Sequence, residues 1–276
     1  MELEQAVAGH YAHGSLEEAI MDALAAAGKD LQHLTIKDLA PVDEFHVGGR
    51  PATIAFAEQF GAQAGMRLLD IGCGLGGAAR YFAHEHGCRV TGIDLSPEYV
   101  NVTNALAQRV GLDERVTCEL ASALALPFAP ESFDGAYMFH VGMNIENKAK
   151  LFAEVRRVLA PAGLFGIYDV MRLADGDLSF PVPWASGPET SFVADAATYR
   201  RLLEAQGFEV LKERNRRDFA LEIFQQMRTR AAAGGPGPLG LHLVMGANAG
   251  QKVKNMIGDI TAGLIAPTEL ICRVAG

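Results

Sequence analysis

From residue 67 onward, short apolar runs alternate with amphipathic stretches, and this rhythm constrains the fold more than any other feature of the chain. "RLLDIG", "CRVTGIDL", "RVTCEL", "FDGAYMF" and "GLFGIYDVM" read as strands, while "GAARYFAHEHG", "SPEYVNVTNALAQRVG" and "KAKLFAEVRRVLA" read as helices. Ser96 and Pro97 open the second of these helices as cap and first residue, and Pro161 with Gly163 stops the third. Strands joined through helices of this length predict a parallel sheet with helices on both faces.

The flanks depart from that rhythm. "SLEEAIMDALAAAG" predicts a helix over 15–28, with Ser15 as cap, Glu18 completing a capping box and Gly28 ending it. "LTIKDLAPVDEFHVGGRPAT", with Pro41 and Gly48-Gly49, reads as turn or loop, and a helix follows near 51–64. Residues 172–193 form an irregular insertion that holds the only Trp of the chain. The pattern resumes with "DAATYRRLLEAQG" and "FEVLKERN". A long helical stretch broken by "GGPGPLG" at 234–240 comes next, and "PTELICRVA" is a closing strand. The expected division is an N-terminal helical lid over 1–64 and a sheet domain over 65–276, with cap insertions near 172–193 and 216–262.

Composition narrows the partners. The chain has 276 residues, a net charge of −9 and no Lys/Arg run, which argues against duplex nucleic acid. No apolar run reaches membrane-span length, and "MELEQAVAGH" carries acids and no apolar signal region, so a cytoplasmic location is expected. Cys73, Cys88, Cys118 and Cys272 lack paired or metal-ligand spacing and read as free thiols, with no metal site. Met245, Met256 and Leu243 fall at helical spacing and read as core or a dimer contact, so a homodimer stays open.

The sharpest chemical signal is "LLDIGCGLGG". Gly72, Gly74 and Gly77 match a GxGxxG cradle after a strand, a pattern that dinucleotide-binding folds share. Asp94 ends the next strand, where a carboxylate accepts hydrogen bonds from a ribose diol in either fold type. Asp70 separates the two. An acid at the loop approach repels a pyrophosphate and attracts a ligand carrying an ammonium. No Tyr with Lys four places on marks a nicotinamide oxidoreductase.

"LLDIGCGLGGAAR", "VTGIDLSPEYV", "ALALPFAPESFDGAYM" and "VRRVLAPAGLFGIYD", in this order, resemble the successive motifs of class I S-adenosylmethionine (SAM)-dependent methyltransferases. The resemblance covers about 65–170 well and is strongest to the branch acting on small molecules, such as the sarcosine/dimethylglycine, sugar and quinone methyltransferases. It implies an α/β fold: a Rossmann-like seven-stranded methyltransferase sheet with helices on both faces, an N-terminal helical lid and a helical/loop cap insertion. It implies SAM as methyl donor and a small-molecule acceptor offering an amine nitrogen, hydroxyl oxygen or activated carbon. A non-catalytic SAM-binding module is the alternative, and a nicotinamide oxidoreductase the weaker one.

Carried over by position, Asp70, Gly72, Cys73 and Gly74 would line the amino-acid end of SAM. Asp94 would hold the ribose hydroxyls, and Leu95 would pack on the adenine. The family usually places an Asp in the third-strand loop for the adenine amine, and here Ala121-Ser122-Ala123 stand instead, leaving Ser122 and Ala123 to read the base. His140 opens the loop after the fourth strand as a substrate or SAM-carboxylate contact, a general base, or a strand-end His bonded to backbone. Met143 and Asn144 stand where hydroxyl-methylating relatives often carry His, and Asn144 orients but cannot deprotonate. Asp169 ends the fifth strand, facing the crevice or capping a turn. Phe45 and His46 would close over the sulfonium, and Trp184 would wall the acceptor pocket or hold its own loop down.

Overall fold

The computed structural model describes residues 2–11, 14–234, 237–246 and 248–276. Four helices come first: α1 (Glu2–His10), α2 (Leu16–Ala26), α3 (Ile36–Asp43) and α4 (Gly49–Phe60). The alternating part runs β1 (Arg67–Ile71), α5 (Gly77–Glu85), β2 (Arg89–Asp94), α6 (Pro97–Arg109), β3 (Val116–Leu120), β4 (Phe133–Phe139), α7 (Lys148–Val158) and β5 (Leu159–Arg172). The chain ends with α8 (Ala196–Ala205), β6 (Phe208–Asn215), α9 (Arg217–Gly234), α10 (His242–Met245), α11 (Ala249–Thr261) and β7 (Ile265–Val274).

All seven strands form one sheet in the order β3-β2-β1-β4-β5-β7-β6. Side chains alternate across it as a pleated strand requires. Leu69, Ile71, Met138 and Ile167 pack beneath α7 and α8 with Phe152 and Tyr199. Their neighbours Leu68, Tyr137, Phe139 and Tyr168 pack on the opposite face against Phe56, Phe60 and Phe82 of α4 and α5. Both faces are therefore covered.

The sheet is parallel except at β7, which runs antiparallel between β5 and β6. The reason is where its connection starts and ends. Asn215 at the end of β6 lies opposite Thr268 near the start of β7, and the Arg216 N–H donates to the Pro267 carbonyl at 2.8 Å. The excursion through α9–α11 leaves and re-enters at one edge of the sheet, so the strand must run back. That edge is at the carboxyl ends of the parallel strands. The excursion packs there with the 172–193 insertion through Val182, Trp184, Phe224, Met256 and Ile260. Met256 is core, as its spacing suggested. Part of the 234–240 break and Ala247 lie outside the described residues.

Two local expectations in the N-terminal part change. The segment read as loop contains α3. Its start is fixed by Asp38, whose Oδ2 accepts from the Thr35 N–H at 3.0 Å and the Thr35 hydroxyl at 2.6 Å. Ser15 does not cap α2 through its side chain. The Leu16 N–H donates instead to Glu98 Oε1 in the first turn of α6, at 2.9 Å. That contact ties α2 to α6.

Candidate active site

In an open α/β sheet, ligands bind beyond the strands' carboxyl ends where the strand order reverses, here between β1 and β4. A cavity of ≈ 300 Å³ lies at that point. Its floor comes from the loops after β1, β2, β3 and β4, and its roof from α1 and the α3–α4 connection.

The glycine loop leaves β1 with positive φ at Gly72, Gly74 and Gly76, a region closed to most side chains. A Cβ on Gly74 would meet nothing within 4 Å, so this glycine serves the turn and leaves the cavity wall bare. Gly77 has a different task. A Cβ there would sit 2.3 Å from the Asp43 carbonyl oxygen, so the start of α5 is the seat on which the lid rests. Thr103 donates to the Gly74 carbonyl at 2.7 Å and pins the loop from α6.

Asp94 reaches back to this loop. Its Oδ2 accepts from the Gly74 N–H at 3.0 Å and its Oδ1 from the Ser96 N–H at 2.9 Å. Burial pushes its carboxyl up to about 6, against the lowering by these N–H donors. Asp70 is more exceptional. It is buried, its Oδ2 has no hydrogen-bond partner, and burial pushes its carboxyl up to about 8. The Tyr137 hydroxyl tempers that rise without closing a hydrogen bond. A buried carboxylate oxygen left without a donor is costly, and a cationic ligand group removes the cost. Cys73 lines the same wall, with its Sγ 3.1 Å from Cys118 Sγ; all four cysteines are free and buried.

The two histidines that line the cavity differ. His140 sits at φ +56, with its Nδ1–H donating to the Tyr168 carbonyl at 3.0 Å. Its Nε2 accepts from the Val47 N–H at 3.2 Å. Both ring nitrogens are thus taken by backbone, one from β5 and one from the lid. Burial, and then His46, hold its pKa down to about 3. Of the readings open for His140, the geometry matches a backbone-bonded latch on the cavity wall.

His46 stacks on Phe139 with ring centroids 4.8 Å apart and lines the cavity. Its Nε2–H donates to the Gly49 carbonyl at 3.2 Å and to Thr53 Oγ1 at 3.1 Å. Thr53 in turn donates to Glu44 Oε2 at 2.6 Å. Those partners put the proton on Nε2, which leaves the Nδ1 lone pair without a protein partner among the described residues. Burial holds this ring neutral, with its pKa down to about 4. Glu44 pairs with Arg50, and Asp43 pairs with Arg80 at 2.7 Å, so a buried ionic cluster joins the α3–α4 connection to α5.

Phe45, Leu95, Ser122, Ala123 and Asn144 also line the cavity. Asn144 is a clamp: its Nδ2 donates to the Trp184 carbonyl at 2.8 Å and its Oδ1 accepts from the Tyr11 hydroxyl at 3.2 Å. Three expected residues stand outside. Asp169 is fully buried behind Gly142 and accepts from the Tyr199 hydroxyl at 2.6 Å. Met143 and Trp184 pack into the core of the cap, where Trp184 Nε1–H donates to Ser191 Oγ at 3.0 Å. Sequence reasoning did not single out Leu3, Glu4, Val7 and Tyr11, the lid face over the cavity. The 3–7–11 spacing was the available signal.

Among the described residues no cluster of three metal-ligating side chains occurs, and no helix is long and apolar enough to cross a membrane.

Comparison with known proteins agrees with this architecture. Residues 69–167 match the family model described as "Methyltransferase domain". A sterol 24-C-methyltransferase of Gibberella zeae is 33% identical over 113 residues, 41% of this chain and 30% of that protein. The chain's matches span less than half the length of that relative and of four other curated ones. The [4+2]-cyclase SpnF superposes with a TM-score of 0.66 at 24% identity, over 93% of this chain and 94% of its own. A geranyl diphosphate methyltransferase, solved with GPP and sinefungin, superposes with a TM-score of 0.73 at 17% identity, over 100% of both chains. Residues 69–167 therefore match a methyltransferase domain, and the chain that carries them has the Rossmann-like class I methyltransferase fold.

Proposed function

We propose that this protein transfers a methyl group from S-adenosylmethionine to a small-molecule acceptor. One observation carries the reading: Asp94 and Asp70, whose Oδ2 has no hydrogen-bond partner, flank a bare glycine loop in one cavity. Asp94 suits a ribose diol, and Asp70 suits an ammonium. When bound, SAM supplies a methyl carbon on a sulfonium. The acceptor's lone or π pair forms the new bond, the carbon–sulfur pair leaves on sulfur, and any surplus proton leaves the acceptor.

The chain's part is to align the reactants and exclude water. Residues 1–64 act as the lid, Asn144 positions it, and Phe45, which lines the cavity, would close over the sulfonium. His46, through its Nδ1, takes the proton where the acceptor has one to lose. His140 acts by positioning, linking Val47 to β5. Asp169 supports the loop at Gly142, while Met143 and Trp184 support the acceptor side from behind.

The test uses methyl-labelled SAM with pooled amines, phenols and other hydroxylated compounds, and electron-rich alkenes. Labelled product in one pool supports the reading. No SAM binding by calorimetry would refute it. Binding without transfer would favour the second reading, a module or a different reaction on this fold, which the cyclase neighbour makes concrete.

A further inference from the structure

The far end of the cavity carries a contact that the glycine loop does not explain. Ser122, in the loop after β3, donates its hydroxyl to Glu4 Oε1 on α1 through a short hydrogen bond. The same Ser122 oxygen accepts from the Leu124 N–H at 3.1 Å, so its orientation is fixed. Glu4 lines the cavity beside Leu3 and Val7, opposite Leu95 and Ala121–Leu124.

Position along the sheet tells what this end would meet. Strands β1, β2 and β3 are consecutive neighbours. A nucleoside whose tail lies over the loop of β1 and whose ribose meets Asp94 at the end of β2 extends its base toward the loop after β3. The walls there are apolar side chains, suited to the faces of a purine. An adenine edge also presents an exocyclic amine, which is a donor and needs an acceptor. Ser122 spends its hydroxyl hydrogen on Glu4. The carboxylate facing that region of the cavity comes from α1, 118 residues away in sequence.

We propose that Glu4 reads the adenine amine, so that the N-terminal helix completes the base site that the β3 loop leaves open. The proposal rests on the SAM reading above. It makes the lid a part of cofactor recognition: with α1 lifted, the base loses its carboxylate acceptor, and with the base bound, α1 gains a second anchor beside Ser122.

The test is calorimetric binding of S-adenosylhomocysteine and its 6-oxo counterpart S-inosylhomocysteine to the full chain and to Glu4→Gln, Ser122→Ala and Asp94→Ala. The 6-oxo group is an acceptor, so a carboxylate should reject it. The unmodified chain should prefer the adenosyl ligand by about tenfold or more, since a polar site left unpaired discriminates strongly. In Glu4→Gln, whose carboxamide both donates and accepts, that preference should collapse to within about threefold. Ser122→Ala should weaken both ligands and keep the preference, and so should Asp94→Ala. An unchanged preference in Glu4→Gln overturns the proposal and leaves the cofactor reading intact. Equal weakening of both ligands by Glu4→Gln and Ser122→Ala also overturns it, because Glu4 would then only tie the helix down. No binding of either ligand to the unmodified chain overturns both.

Discussion

His46 and His140 lie 6.0 Å apart, ring centre to ring centre, on one cavity, yet the chain uses them differently. His140→Ala leaves the Val47 N–H unpaired, while the Tyr168 carbonyl keeps the backbone N–H of residue 140, which donates to it at 2.7 Å. That should lower stability by about 1–3 kcal/mol, read by denaturant unfolding. His46→Ala should instead lower kcat more than the affinity for SAM, provided the acceptor has a proton to lose. A pH–rate profile losing its acid limb in His46→Ala, and keeping it in His140→Ala, would support this division; the reverse would sink it. Asp70 and Asp94 give a prediction with a definite sign. Their carboxyls sit near about 8 and about 6, above ordinary carboxyls, through burial. The empty fold then holds protons that the unfolded chain has released, so its stability should fall as pH rises from 5 to 8. Binding an ammonium needs the ionised form, so SAM affinity should rise over about pH 6–8 with protons released. Calorimetry in buffers of different ionisation enthalpy counts them. The identities of Asp70, Asp94 and the glycines were readable from sequence because backbone conformation and charge are local properties. The tautomers of the histidines were not, since they depend on Gly49, Val47 and Tyr168, which the fold brings together.

At the scale of elements, the alternating strands and helices from β1 to β6 follow from local periodicity, and the structure keeps them within a few residues. The lid was less legible. Pro41 and the paired glycines obscured α3, although Thr35 and Asp38 carried its start signal. The first turn of α2 is satisfied by Glu98, 82 residues on, which no local pattern announces. Placement of α1 depends on such distant partners too. His10 Nε2 donates to the Pro183 carbonyl at 3.1 Å, and Tyr11 donates to Asn144. Tyr11→Phe removes one hydrogen bond worth about 0.5–1.5 kcal/mol, so bound S-adenosylhomocysteine should leave about 2–10 times faster. Stopped-flow displacement measures this. An unchanged rate would mean that α1 does not gate release.

For the whole molecule, the distribution of charge around the cavity decides more than its volume. Glu4, Asp43, Asp70, Asp94 and Glu146 line it, and no Lys or Arg does so among the described residues. The arginines beside the lining residue Asp43, Arg50 and Arg80, are engaged with Glu44 and Asp43. An acceptor bearing a phosphate or diphosphate would bring anionic charge to an acid-lined space. Neutral or cationic acceptors should therefore turn over, and their phosphorylated counterparts should have kcat/KM lower by about a hundredfold or more, on the several kcal/mol that like-charge contact costs. Comparable rates on matched pairs would refute this. Fold class came from sequence because every strand-helix unit repeats one physical rule. The reversal of β7 did not, because it depends on where a 49-residue connection re-enters the sheet.

Trp184 ends up as an instrument inside the protein. It is the chain's only tryptophan, the residue is 2% exposed, and its carbonyl holds the Asn144 amide that receives Tyr11. Its emission therefore originates from one buried ring, two contacts from the roof of the cavity. Lifting α1 takes the Tyr11 hydroxyl away from Asn144, whose amide stays bonded to the Trp184 carbonyl, so the fluorescence should shift as the roof opens. The opening rate can then be timed in the unlabelled chain, with Asn144→Ala as the variant in which the light no longer follows the lid.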